Sequence, residues 1–174
     1  MFSRGRPRQL ETEEELYDVA LRALARRSHS VQEMQKKLSR YTRSELLVRV
    51  VMARLKENGQ LDDARFAQQF ARNRTQSRKQ GQFRIARELR ARGVGDADIN
   101  LALESSAGEA DSALLVRERI ERKLKSLRGE IDKRKIASIY GSLLRAGFPA
   151  ELIRRVLKQL TRVEVPDNDP SSPE

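Results

Sequence analysis

The sequence predicts an all-α fold of three tandem three-helix units, and three observations predict it. First, Ile85, Leu89, Gly93, Ile99 and Leu103 recur at the same spacing as Ile139, Leu143, Gly147, Ile153 and Leu157. An apolar i, i+4 pair, a glycine four residues on and a second such pair describe a short helix, a left-handed stop and another short helix. Second, Ser/Thr-x-x-Glu boxes at Thr12–Glu15, Ser30–Glu33 and Thr42–Glu45 mark helix starts, because the hydroxyl takes an N–H that the first turn leaves unpaired. Third, no short run alternates apolar and polar residues with β-branched enrichment, so no strand is expected.

Residues 1–11 read as a flexible basic arm carrying Arg4, Arg6 and Arg8 around Gly5 and Pro7. The first unit, 12–60, opens with a helix from Thr12 to about Arg27 whose stripe is Leu16, Ala20, Leu21 and Leu24. A second helix follows Ser30 with Met34 and Leu38. A third follows Thr42 with Leu47, Val48, Val51, Met52 and Leu55, and Asn58-Gly59 stops it. Met34, Leu38, Thr42, Val48 and Met52 repeat the five-position pattern in weaker form, with Thr42 in the glycine's place.

In the second unit, 61–106, Asp62 is the expected N-cap, and Leu61 and Phe66 form a hydrophobic staple across it. That helix passes Phe70 and Ala71 to about Gln76. The next runs from about Gln82 to Arg92 and ends at Gly93, and Asp96 caps a third bearing Ile99 and Leu103. The third unit, 107–163, holds a helix from Glu109 through Leu115, Ile120 and Leu124 to Leu127, and another from about Asp132 to Arg145 that ends at Gly147. Pro149, preorganised for a first turn, starts the last, with Leu152, Ile153, Val156, Leu157 and Leu160. The acidic, proline-rich residues 164–174 predict a disordered tail.

The absence of cysteine excludes disulfides and thiolate metal sites. MFSRGRPRQL lacks the apolar segment of a secretory signal, and no run approaches the ~20 apolar residues that span a bilayer. A cytoplasmic protein with no membrane association is expected. No phosphate-binding glycine loop or metalloprotease motif occurs. His29, the single histidine, lies between two serines in a predicted turn and reads as an exposed surface residue. Asp62 and Asp63 read as capping groups in preference to a metal pair. No catalytic, metal or cofactor-binding residue is expected, and therefore no enzyme and no cofactor.

Positive charge is what the chain offers. Lys plus Arg number 36 against 25 Asp plus Glu, a net charge of +11, which favours polyanions or an acidic partner surface. From Ala64 to Arg87 there are seven cations (Arg65, Arg72, Arg74, Arg78, Lys79, Arg84 and Arg87) and no acid. Arg72, Arg74, Arg78, Lys79, Arg84 and Arg87 are therefore candidate nucleic-acid or partner contacts. Lys133, Arg134 and Lys135 join them, since cations at a helix start oppose its dipole and need another reason to be there. Arg117, Arg119, Arg122, Lys123, Lys125 and Arg128 interleave with Glu118 and Glu121, and the i, i+4 pairs Glu118–Arg122 and Glu121–Lys125 make that helix a solvated face. Phe66, Phe70 and Phe83 read as core, so phosphate or acidic-surface binding is expected and base-specific readout is not.

GQLDDARFA (59–67), Arg78-Lys79, GQFRIARELRARGV (81–94), Ile99 and Ala102-Leu103 together closely resemble the RecX family of bacterial recombinase regulators. The resemblance covers about residues 13–160 and is strongest over 59–103. It implies an elongated, curved array of three three-helix repeats. It also implies a function, modulating and usually inhibiting the RecA recombinase by lying in the groove of the RecA–DNA filament. The family carries no catalytic residues. Leu61, Asp62, Asp63, Phe66, Ala67, Gly81, Ile85, Leu89 and Gly93 map onto its motifs as fold determinants. Met34 and Thr42 depart from the family pattern.

The expected partners are thus the RecA filament and the DNA phosphate backbone, single-stranded within that filament, met by a monomer. Two rival readings stand beside it. One is an independent helix-turn-helix DNA binder built on 82–92 and 96–105, against which the second helix DADINLALES offers no cation to read bases. The other is a protein-interaction solenoid that needs no nucleic acid.

Overall fold

The computed structural model describes residues 9–106, 109–127 and 131–161, and among them it holds nine helices and no strand. The all-helical class stands. The arm through Arg8, Arg128 and the tail from Arg162 lie outside the described residues. The helices are α1 (Glu13–Arg26), α2 (Val31–Leu38), α3 (Glu45–Glu57), α4 (Asp63–Gln76), α5 (Gln82–Arg90), α6 (Asp96–Ser106), α7 (Glu109–Ser126), α8 (Lys133–Arg145) and α9 (Ala150–Thr161). The chain divides into two compact units, Met1–Phe70 with Glu88–Ala102, and Ala71–Arg87 with Leu103–Glu174. The division does not follow the sequence repeat, because α4, α5 and α6 each supply residues to both units.

In the first unit α1, α2 and α3 pack on one another around Leu16, Ala20, Met34, Leu38, Val48, Val51 and Leu55, all buried. Thr12 caps α1 as the box predicts: its Oγ1 accepts from Glu15 N at 3.4 Å and donates to the Glu15 carboxylate at 3.2 Å. Ser30 caps α2, accepting from Glu33 N at 3.1 Å, and its Oγ donates to the Arg92 carbonyl at 2.6 Å. The third box is a coincidence of spacing. Ser44 caps α3, accepting from Leu47 N, while Thr42 is buried and accepts from Ser44 N two residues on. Nor does Thr42 stand in for a left-handed glycine: among the described non-glycine residues only Lys79 has positive φ, at 52°.

Asp62 caps α4 by accepting from Arg65 N at 2.9 Å, and the staple residues Leu61 and Phe66 are both buried. Asp63 does different work. Its carboxylate accepts from Val31 N at 2.9 Å and so satisfies the first turn of α2, and burial raises its pKa above the ordinary value. Gly95, not Asp96, holds the N-cap place of α6, since its carbonyl accepts from Ile99 N; Asp96 pairs with Arg90 at 2.7 Å. His29 corrects the sequence reading as well. It is buried, its Nδ1 lies 2.9 Å from the Arg27 carbonyl, and burial pushes the imidazole pKa down.

The second unit closes around Val116, Ile120, Ile136, Ile139, Leu143, Phe148, Ile153 and Leu157 of α7, α8, α9 and the turn between the last two. Asp132 caps α8 by accepting from Lys135 N at 2.8 Å. Pro149 takes the N-cap place of α9, where its carbonyl accepts from Ile153 N. Of the recurring pattern, Ile85, Leu89, Ile99, Ile139, Leu143, Ile153 and Leu157 are buried and Leu103 is half-buried. Its glycines end their helices identically. Gly93 (φ 77°) and Gly147 (φ 90°) are each followed by an N–H, of Val94 and Phe148, that returns to the carbonyl of Leu89 and Leu143. Gly59 (φ 63°), with Gln60 N bonding to Leu55 O, ends α3 in the same way.

Candidate nucleic-acid interface

Every cation proposed from the sequence as a contact belongs to the second unit. The loop from Ser77 to Gly81 and the turn from Ala146 to Pro149 run backbone against backbone. Gly81 N donates to the Ala146 carbonyl at 2.8 Å, and Phe83 N donates to the Gly147 carbonyl at 3.0 Å. No side chain fits between them: a Cβ on Gly81 would lie 2.2 Å from Gly147 O, and one on Gly147 would lie 2.4 Å from both the N and the Cβ of Arg84. The N-terminus of α5, with Phe83, Arg84 and Arg87, is thereby fixed against the end of α8.

Arg72 and Arg78 are exposed at the end of α4 and in the following loop. Lys79 takes the left-handed conformation that turns the chain, and Gln80 N returns to the Arg74 carbonyl at 3.1 Å. Arg65 belongs elsewhere: its guanidinium donates to the Gly59 carbonyl in the first unit. Lys133, Arg134 and Lys135 begin α8, so the helix carries them about 20 Å along its axis from Gly147. The carboxylate of Asp132 answers the dipole objection to cations at that end. Arg72, Arg78, Lys79, Arg87, Lys133 and Arg134 have no ion-pair partner among the described residues.

Two readings of the sequence change here. Phe83 is 60% exposed, not core. On a 100° per residue wheel it stands about 200° round from Ile85, off the Ile85–Leu89 stripe, and that offset was the available signal. Helix α7 does expose Arg117, Glu118, Arg122, Lys123 and Lys125 as a solvated face, but its pairing differs from the expected one. Glu121 pairs backwards with Arg117 at 3.0 Å, and no ion pair joins Glu118 to Arg122 or Glu121 to Lys125 among the described residues.

Arg119, three residues after the buried Val116, is half-buried with its guanidinium 5.9 Å from the Phe148 ring centroid. Burial, with Arg122 and Arg84 close by, lowers its pKa below the ordinary value. The structure thus brings Arg84, Arg119 and Arg122 together beside the Gly147 turn, and the last two were missing from the sequence-based set. Among the described residues no His, Cys, Asp and Glu group is arranged to hold a metal, and no described helix is long and apolar enough to cross a membrane.

The family model "RecX, second three-helix domain" matches residues 62–103. The chain is 39% identical over 142 residues to "Regulatory protein RecX" of Halorhodospira halophila, covering 81% of this chain and 85% of that one. It is 32% identical over 149 residues to the protein of the same name from Chlorobium phaeobacteroides, covering 84% and 93%. In fold it is similar to the crystal structure of RecX from Lactobacillus salivarius, with a TM-score of 0.79 at 19% identity over 87% of this chain and 97% of that one. With the motif residues on α4 and α5 in place and relatives matched along most of their length, the chain belongs to the RecX family of regulatory proteins.

Proposed function

We propose that this protein is a non-enzymatic regulator of the RecA recombinase that binds the RecA–DNA filament and inhibits its strand exchange and ATP hydrolysis. The observation that carries the reading is the set of second-unit cations Arg72, Arg78, Lys79, Arg87, Lys133 and Arg134, without an ion-pair partner among the described residues, in a member of a regulator family. The partners are the filament and the phosphate backbone of its single-stranded DNA, and the chain acts in the cytoplasm as a monomer. Arg72, Arg74, Arg78, Lys79, Arg84 and Arg87 form the contact face, with Lys133, Arg134 and Lys135 at the far end of α8. The three repeats, 12–60, 61–106 and 107–163, serve as the scaffold. A helix-turn-helix reader gains no support, since α6 begins with Asp96 and Asp98 and has no basic residue in its last turn.

The test is a RecA ATPase and strand-exchange assay on single-stranded DNA with the wild-type chain and with Arg72, Arg74, Arg78 and Lys79 changed together to serine. Wild type inhibits and the quadruple variant loses most of that inhibition. If about five single-strand phosphates are contacted, log K falls against log salt with a slope of about −3.5. Inhibition that survives the quadruple substitution intact moves the contact away from this face.

A further inference from the structure

We propose that Arg84, Arg119 and Arg122 hold one phosphate of a single-stranded nucleic acid and that Phe83 stacks on an unpaired base beside it. This rests on the reading of the second unit as a nucleic-acid surface, and it narrows that surface to strands whose bases are free. Arg84 and Arg119 meet at one turn, Arg84 with its backbone and Cβ against Gly147 and Arg119 with its guanidinium 5.9 Å from the Phe148 ring centroid. Arg122 follows three residues along α7, and Arg119 and Arg122 have no carboxylate partner among the described residues. A phosphate matches the planar fork of a guanidinium and supplies the negative charge that Arg119 and Arg122 lack. The contact with the Phe148 ring holds the Arg119 guanidinium at this turn.

Phe83 supplies the independent observation. It is a large aromatic left 60% exposed, directly before Arg84 in a chain with only five phenylalanines. Its backbone is not free to withdraw the ring, because Phe83 N is bonded to the Gly147 carbonyl and Gly81 is bonded to Ala146. Any base presents a π face to such a platform, so the contact is tolerant of sequence, but a duplex keeps those faces stacked inside. An acidic peptide would satisfy the arginines and leave Phe83 without a planar partner.

The full-length chain is titrated, by fluorescence anisotropy, into labelled oligothymidylate and into an abasic sugar-phosphate strand of the same length. Wild type binds oligothymidylate more tightly than the abasic strand. Phe83→Ala weakens oligothymidylate about tenfold without affecting the abasic strand, and Phe83→Trp restores the difference. Arg122→Gln, on an exposed side chain that the fold does not need, weakens both strands and makes the salt slope shallower by about 0.7. Arg119→Gln does the same, with a thermal melt to show that the unit remains folded.

Equal wild-type affinity for the two strands, or unchanged oligothymidylate binding in Phe83→Ala, overturns the proposal. So does displacement of the strand by polyglutamate at equal charge, which would assign the arginines to an acidic protein surface. RecA ATPase inhibition is followed in the same proteins. Loss of the oligonucleotide result with inhibition intact removes this site alone, whereas a wild-type chain that fails to inhibit removes the broader reading.

Discussion

Gly147 carries two constraints at once, a left-handed backbone and a neighbour too close for any side chain. Gly59 carries only the first, with nothing near the position of its Cβ. Gly59→Ala should therefore lose about 1–2 kcal/mol, the ordinary penalty for an L-residue in that region. Gly147→Ala should lose clearly more, since it adds a clash with the backbone of Arg84. Urea unfolding of the two variants checks the order, and equal losses would show that the second unit relaxes around the turn.

His29 makes a pH-dependent prediction at the same scale. Its folded pKa is lowered from 6.5, so as pH falls below about 6.5 the unfolded chain takes up a proton that the folded chain refuses. Stability is full above that value, falls as pH is lowered toward the folded pKa, and loses nothing further from this group below it. His29→Gln should flatten that slope when melting is compared across pH 7 to about 5. Asp63 has the opposite sign: its raised pKa favours folding as the carboxyl protonates, in a window beginning above 3.8. His29 was misread because a turn's sequence shows its polarity but not what packs around it; here it lines a small cavity with Leu24, Gln60 and Phe66.

At the scale of elements, capping separates interactions that look alike in sequence. Ser30 is fully buried and does two jobs, accepting from Glu33 N and donating to Arg92 O, whereas Ser44 is exposed and does one. Ser30→Ala should destabilise by about 2–3 kcal/mol and Ser44→Ala by about 1, measured by denaturant unfolding. Glu121→Gln, which breaks only the exposed pair with Arg117, should change stability by a few tenths of a kcal/mol. Helix existence was legible throughout, because caps, glycine stops and apolar stripes are local and redundant. The choice of partner was not. Thr42 and Ser44 both offer a hydroxyl near the start of α3, and only the path of the loop decides which one faces Leu47 N. Glu118 and Glu121 both sit at good spacings, and rotamers decided between Arg117 and Lys125. Of the proposed cluster only Arg84 was legible, from its acid-free stretch, for the same reason: Arg119 comes to the Gly147 turn only through its place beside Phe148, with Arg122 three residues on.

At the scale of the molecule, the sequence repeats in threes and the compact packing comes in twos. A fragment ending at Ser106 keeps two sequence repeats but removes the helices that belong with Ala71–Arg87. It should melt with less cooperativity than the full chain and should fail to bind oligonucleotides, as calorimetry and anisotropy would show. The glycine-on-glycine contact of the second unit also makes a reporter. The amides of Gly81 and Phe83 point into carbonyls of a turn remote in sequence, so they exchange with deuterium only when that corner opens. A ligand that grips the arginines beside them would announce itself, without any label, as slowed exchange at these two amides.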